Sequence, residues 1–178
     1  TNRLILNLKK RVTFRNTPSY YYKELAINQV AREIAVQMKD YSNIDDFVFC
    51  PIPPSKAKNH PEYDDRITRV LNVVSSYFEI NIQEMIINIE SHDANHIASS
   101  GRLSYSELKS KFQFDQSLGF SGDKNIILVD DMITNGRHFK VCKDLILENF
   151  PQINIIGLFV ARRVLDEKPW SFDSFDPF

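Results

Sequence analysis

A chain of 178 residues, 43% apolar and 25% charged, can bury one ordinary core, so it reads as a single domain over residues 1–178 rather than two. Its formal net charge of −1 removes any overall electrostatic case for a nucleic-acid partner, although Arg3, Lys9, Lys10, Arg11 and Arg15 form a local basic stretch. No apolar run approaches the roughly 18 residues that cross a bilayer, and the first residues lack the apolar core of a signal peptide. Cys50 and Cys142 support neither a disulfide framework nor a zinc site, which leaves buried thiols and a cytoplasmic location as the expectation. A start at Thr1 instead of Met implies that further N-terminal sequence was removed or lies outside this chain.

Taken in order, Arg3 to Phe14 alternate loosely through Leu4, Leu6, Leu8, Val12 and Phe14, which suits an edge strand or hairpin with a cationic outer face. Tyr20, Tyr21 and Tyr22 precede a helix from about Lys23 to Met38, with Leu25, Val30, Ile34 and Met38 as its core positions. The aromatic triplet either packs on the domain body or offers a stacking surface for bases. Phe47 to Ile52 is a strand that ends among Pro51, Pro53 and Pro54, because proline cannot donate to a ladder.

The loop that follows carries Pro53, Ser55, Lys56 and Lys58 at a strand's C-terminal end, where open α/β sheets bind ligands. Its lysines either face a pyrophosphate or form an exposed turn. A second helix is expected from about Asp64 to Phe78, with the apolar stripe Ile67, Val70, Leu71 and Val74. Met85 to Ile89 reads as another strand. Glu90 to Arg102 is polar, holds one glycine and has no periodicity, the composition of a mobile loop. Ser104 followed by Glu107 matches a capping box, so a short helix starts there. Gly119 to Lys124 is a turn, and Ile153 to Ala161 is the last strand. Strands alternating with helices indicate an α/β fold, a mainly parallel sheet covered on both faces, with its core at about residues 23–163. The C-terminal SFDSFDPF either docks a partner or lies back over the body.

The most informative stretch is IILVDDMITNGRHF, residues 126–139. Four apolar residues run into Asp130 and Asp131, then a polar turn with one glycine, then amphipathic spacing: a buried strand, a ligand loop and a helix. Carboxylates at that edge suit the donor hydroxyls of a ribose. Thr134, Asn135 and Gly136 turn the backbone into a helix whose unpaired N–H groups and positive dipole end favour phosphate. The competing reading is that the acids only cap the turn and that Thr-Asn-Gly is ordinary turn chemistry. Spacing sets two other readings aside. An aspartyl-nucleophile phosphatase needs its acids one residue apart, and a receiver domain needs more chain after its acidic pair.

IILVDDMITNGR resembles the phosphoribosyl pyrophosphate signature of type I phosphoribosyltransferases. FVFCPIPPSK, HDANHIASSGRLSYSELKSKFQF and GLFVAR are similar to the ComF-like branch, here without its N-terminal zinc finger. The resemblance covers roughly residues 45 to 163. It implies a single phosphoribosyltransferase-like domain with a small mobile hood loop, Glu90 to Arg102, extended by the basic N-terminal segment and the Phe/Asp tail. It further implies that Asp130 and Asp131 hold the ribose hydroxyls and that Thr134, Asn135, Gly136, Arg137 and His138 bind the 5-phosphate. Pro53, Ser55, Lys56 and Lys58 would meet the pyrophosphate, and Arg102 would supply a charge contact. Mg²⁺ would bridge substrate oxygens, touching Asp130 and Asp131 mostly through the substrate.

The implied reaction transfers ribose 5-phosphate to an unidentified nitrogen acceptor. The alternative is a non-catalytic module that binds phosphoribosyl pyrophosphate or a nucleotide, serving a DNA-handling system or a protein partner through its tail; oligomers are compatible with either. Asn135 and His138 stand where Thr or Ser is usual in the family. With His138 there, phosphate affinity becomes pH-dependent if the ring titrates near about 6.5. Thr134 stands where some purine-using relatives carry an aspartate base, which weakens a purine-salvage reading.

Overall fold

The computed structural model describes residues 2–91 and 103–163. Two features expected from the sequence, most of the hood segment with Arg102 and the Phe/Asp tail, lie outside them. A four-stranded parallel sheet forms the centre, in the order β2 (Asn81–Ile82), β1 (Phe47–Pro51), β5 (Asn125–Ile133), β6 (Ile155–Arg162).

Successive residues of a strand point to opposite faces, and both faces of this sheet are covered. Phe49, Ile127 and Val129 pack on one side with α1 (Asn2–Leu8), α2 (Tyr21–Met38) and α3 (Arg66–Val74). Val48, Cys50, Ile126 and Leu128 pack on the other with α5 (Arg137–Asn149) and α4 (Tyr105–Lys111). That second face also receives an antiparallel ribbon of β3 (Ile86–Asn88) and β4 (Phe112–Phe114). The expected α/β architecture is therefore present. Both cysteines are buried and unpaired, and burial pushes the Cys50 thiol up to about 12. Among the described residues no helix is long and apolar enough to cross a membrane.

Three local expectations need correction. The N-terminal segment is helical, whereas its alternation predicts an edge strand or hairpin. A strand would place Leu4, Leu6 and Leu8 on one face, but Leu6 is 71% exposed while Ile5 and Leu8 are buried, the three-residue spacing of a helix lying on α2. In α2 the buried positions are Lys23, Ala26, Ile27, Val30, Ala31, Ile34 and Ala35; Leu25 is 46% exposed, one position out of phase with that stripe. The strand expected at Met85 to Ile89 does not join the parallel sheet. It pairs antiparallel with β4, Ile86 opposite Phe114 and Asn88 opposite Phe112. Alternation along so short a run carries no information about which partner it takes.

Other expectations hold. The α3 stripe of Ile67, Val70, Leu71 and Val74 is buried, and Ser104 and Glu107 form the capping box that starts α4.

Topology brings the site's elements together. The chain leaves β1, forms α3 and adds β2 on one side of β1, then returns as β5 on the other. The crevice beyond the C-terminal ends of β1 and β5 is thus the switch point at which open α/β sheets accept ligands. β1 stops first: Pro51 pairs with Val129 and the Ile52 N–H reaches the Val129 carbonyl, while β5 continues against β6 to Ile133 opposite Arg162. Asp130 and Asp131 therefore sit where β5 has lost one neighbour and kept the other.

Candidate active site

Asp130 and Asp131 are consecutive on a strand, and the alternation that packs the core also separates them. Asp130 lies on the α5 side. With Thr134, Asn135, Gly136, Arg137 and His138 it lines a small polar hollow at the start of α5. Its Oδ1 accepts the Asp131 N–H at 2.7 Å. Burial, and then the neighbouring charge of Asp131, push its carboxyl up to about 7.

Asp131 belongs to the opposite face and is 1% exposed. Its Oδ2 accepts Arg66 Nε at 2.6 Å and Nη2 at 2.5 Å, while Lys9 Nζ stands 3.0 Å from Oδ1. Burial works to raise its pKa, but Arg66 and Lys9 outweigh it and hold the carboxyl below the usual aspartate range.

This ion pair continues into the protein. Arg66 also reaches Asp64 Oδ2 at 3.0 Å, and the same oxygen accepts Lys23 Nζ at 2.8 Å. Lys23 is fully buried and donates as well to the carbonyls of Leu8, at 2.8 Å, and Lys10, at 2.9 Å. Burial lowers its pKa and Asp64 opposes that. Three acceptors offset part of the desolvation of this ammonium, and it ties the C-terminal end of α1 to the approach to α3. Sequence reasoning missed Arg66, Lys9, Lys23 and Asp64. The run Asp64-Asp65-Arg66 shows charge at a helix start, but nothing in one dimension joins Arg66 to an acid 65 positions away.

The turn after β5 has the backbone that its sequence suggests. Gly136 has φ 72° and precedes the first residue of α5, a conformation that costs a non-glycine residue about 1–2 kcal/mol. The Asn135 side-chain oxygen accepts the Arg137 N–H at 3.2 Å, so Asn135 braces the turn as Thr or Ser would. The Arg137 guanidinium donates to the Leu103 carbonyl, and the His138 ring packs against Phe112 with centroids 5.9 Å apart. Thr134 and Asn135 are both exposed.

Across the switch point, Pro53, Ser55 and Lys56 are half-buried in the loop after β1. Lys58 turns aside to an ion pair with Glu84, which also accepts the Thr68 hydroxyl at 2.7 Å. The structure thus gathers Asp130 with residues 134–138 and places the 53–58 loop at the neighbouring strand end. It directs Asp131 and Lys58 to other partners, and Arg102 lies outside the described residues.

No family model and no curated protein matches the chain. Solved structures similar to it include a hypoxanthine phosphoribosyltransferase from Staphylococcus aureus, at 15% identity and TM-score 0.45, covering 79% of this chain and 74% of that one. A xanthine-guanine-hypoxanthine phosphoribosyltransferase from Helicobacter pylori gives 12% and 0.44 over 81% and 76%. A purine phosphoribosyltransferase from Pyrococcus horikoshii Ot3 gives 12% and 0.38 over 77% and 82%.

Proposed function

We propose that this chain binds phosphoribosyl pyrophosphate and transfers its ribose 5-phosphate to a nitrogen acceptor, in the manner of a type I phosphoribosyltransferase of the ComF-like branch. The observation that carries the reading is the hollow shared by Asp130 and the 134–138 turn: one carboxylate beside a Gly-started helix N-terminus, next to the switch point of a parallel sheet. A carboxylate accepts from ribose hydroxyls, and the positive dipole end of α5 favours a phosphate. That separation of roles suits a sugar phosphate better than either group alone.

In this reading the 5-phosphate rests on the backbone of residues 134–138, with Arg137 and His138 as side-chain donors. Asp130 in its ionised form holds a ribose hydroxyl, and Lys56 in the 53–58 loop meets the pyrophosphate. The C1–O bond to pyrophosphate breaks as a C1–N bond forms, and the acceptor's proton leaves to solvent. Mg²⁺ would be held chiefly by substrate oxygens, with Asp130 as the carboxylate that fits it on this side of the sheet. When bound, Mg²⁺ would supply charge neutralisation to the leaving pyrophosphate. Buried, unpaired thiols suit a reducing cytoplasm.

One observation favours a second reading, a module that binds the ligand without turnover: Asp131 is already paired with Arg66 and Lys9, which leaves a single site acid for the ribose. Calorimetry with phosphoribosyl pyrophosphate and Mg²⁺ tests both readings, and absence of heat from the folded protein contradicts both. Pyrophosphate release on adding a panel of bases and amines separates transferase from module.

A further inference from the structure

The loop of residues 53–58 is short of internal support. Pro53 and Pro54 have no N–H to donate, and β1 has ended at Pro51. Three ties reach this loop from residues 84–91. Asn88 Nδ2 donates to the Pro54 carbonyl at 2.9 Å, the Ala57 N–H donates to Ser91 Oγ at 3.0 Å, and Lys58 pairs with Glu84. Asn88 is the pivot. It is 7% exposed, sits in β3 opposite Phe112, and its Oδ1 accepts the Glu90 N–H at 3.2 Å. One buried amide therefore uses its donor on the loop and its acceptor on the chain leaving the ribbon, and the ribbon is packed into the core on the α5 face through Ile86, Phe112 and Phe114.

We infer that Asn88 and Ser91 are positioning residues that set the 53–58 loop for pyrophosphate, an inference that rests on the function proposed above. Neither residue touches the ligand. They fix the backbone from Pro54 to Ala57, and with it the carrier of Lys56. The 5-phosphate turn hangs from β5 and α5, so it does not depend on these ties. Disturbing Asn88 therefore separates the two ends of the substrate: pyrophosphate affinity falls and ribose 5-phosphate affinity stays.

Asn88→Asp is the sharpest variant, since it keeps shape and the acceptor for Glu90 but sets an oxygen against the Pro54 carbonyl. Calorimetric titrations of wild type and variant with Mg²⁺-pyrophosphate and, separately, with ribose 5-phosphate read the split. The expected result is about tenfold weaker pyrophosphate binding, the equivalent of ~1.4 kcal/mol, with ribose 5-phosphate affinity within about twofold. Ser91→Ala, which removes the partner of one loop amide without touching the ribbon, shifts the ratio in the same direction by less, and Ser91→Thr restores it. This second pair serves if the Asn88→Asp variant does not fold. Equal loss for both ligands, or no change in either, overturns the inference while leaving the proposed function in place. A wild-type protein that binds neither ligand overturns both.

Discussion

Asp130 and Asp131 are chemically identical, adjacent on one strand, and placed in opposite electrostatic surroundings. The face toward α5 gives Asp130 a small polar hollow and a raised pKa. The face toward α3 gives Asp131 a guanidinium, an ammonium and a lowered one. A paired-acid motif on a strand need not be a paired site. Side-chain alternation sends one acid to the hollow before α5 and the other into the fold, so under the function proposed above the motif divides into a binding half and an anchoring half.

The largest effect should come from the anchoring half. Asp131→Ala takes from the part-buried Arg66 the carboxylate oxygen that accepts both its Nε and Nη2 and leaves it the contact with Asp64, and breaking one side of a buried pair costs up to about 3–5 kcal/mol. Urea unfolding should show a loss of that order, whereas Asp130→Asn should unfold no earlier than wild type.

The two acids should also impose opposite pH dependences on stability. Asp130 in the folded state titrates near about 7, above its value near 3.9 in the unfolded chain, roughly. The folded protein therefore binds the extra proton between those values, and this carboxyl makes stability fall as pH rises from about 4 to about 7, by ~1.4 kcal/mol per unit of raised pKa. Asp131, held below the ordinary value, contributes stability that is present above about 4 and lost as pH falls further. Thermal melts of wild type and Asp130→Asn should differ in slope between pH values of about 4 and about 7 and run parallel above that window. A shared slope would mean that Asp130 ionises normally.

A smaller effect is expected at the phosphate turn. The methyl of Gly136→Ala makes an ordinary van der Waals contact with Ile133 Cδ1 at 3.8 Å, so its cost is conformational, about 1 kcal/mol for the positive φ. Because the turn must relax to accommodate it, ribose 5-phosphate affinity should fall with stability, and unchanged affinity would place the phosphate elsewhere.

Much of this arrangement is legible in the sequence, for identifiable reasons. The buried strand 126–129, the α3 stripe and the Ser104–Glu107 capping box are local patterns, and each is found where local physics puts it. Gly136 is legible for the same reason, since a short polar turn entering a helix calls for a residue that tolerates positive φ. The N-terminal helix is hidden because Leu4, Leu6 and Leu8 imitate a strand, and the exposed Leu6 breaks that pattern only in three dimensions. Arg66, Lys23 and Lys9 are invisible as partners because each contact closes a long loop, and charge in a sequence does not announce its counter-ion. The split of the acidic pair could have been read from alternation alone, given that the strand runs past both acids to Ile133.

The function proposed above has Asp130 bind ligand while Asp131 holds the fold. Its most direct test is a titration of phosphoribosyl pyrophosphate with Mg²⁺ into wild type and Asp130→Asn, with unfolding curves taken on the same samples. Asp130→Asn should lose most of the affinity, on the order of tenfold or more for a hydrogen bond to a charged group, while remaining at least as stable at a pH of about 8, above the titration of Asp130. Wild-type affinity in Asp130→Asn, or a loss of affinity that merely follows a loss of stability, would contradict the division of labour between the two aspartates.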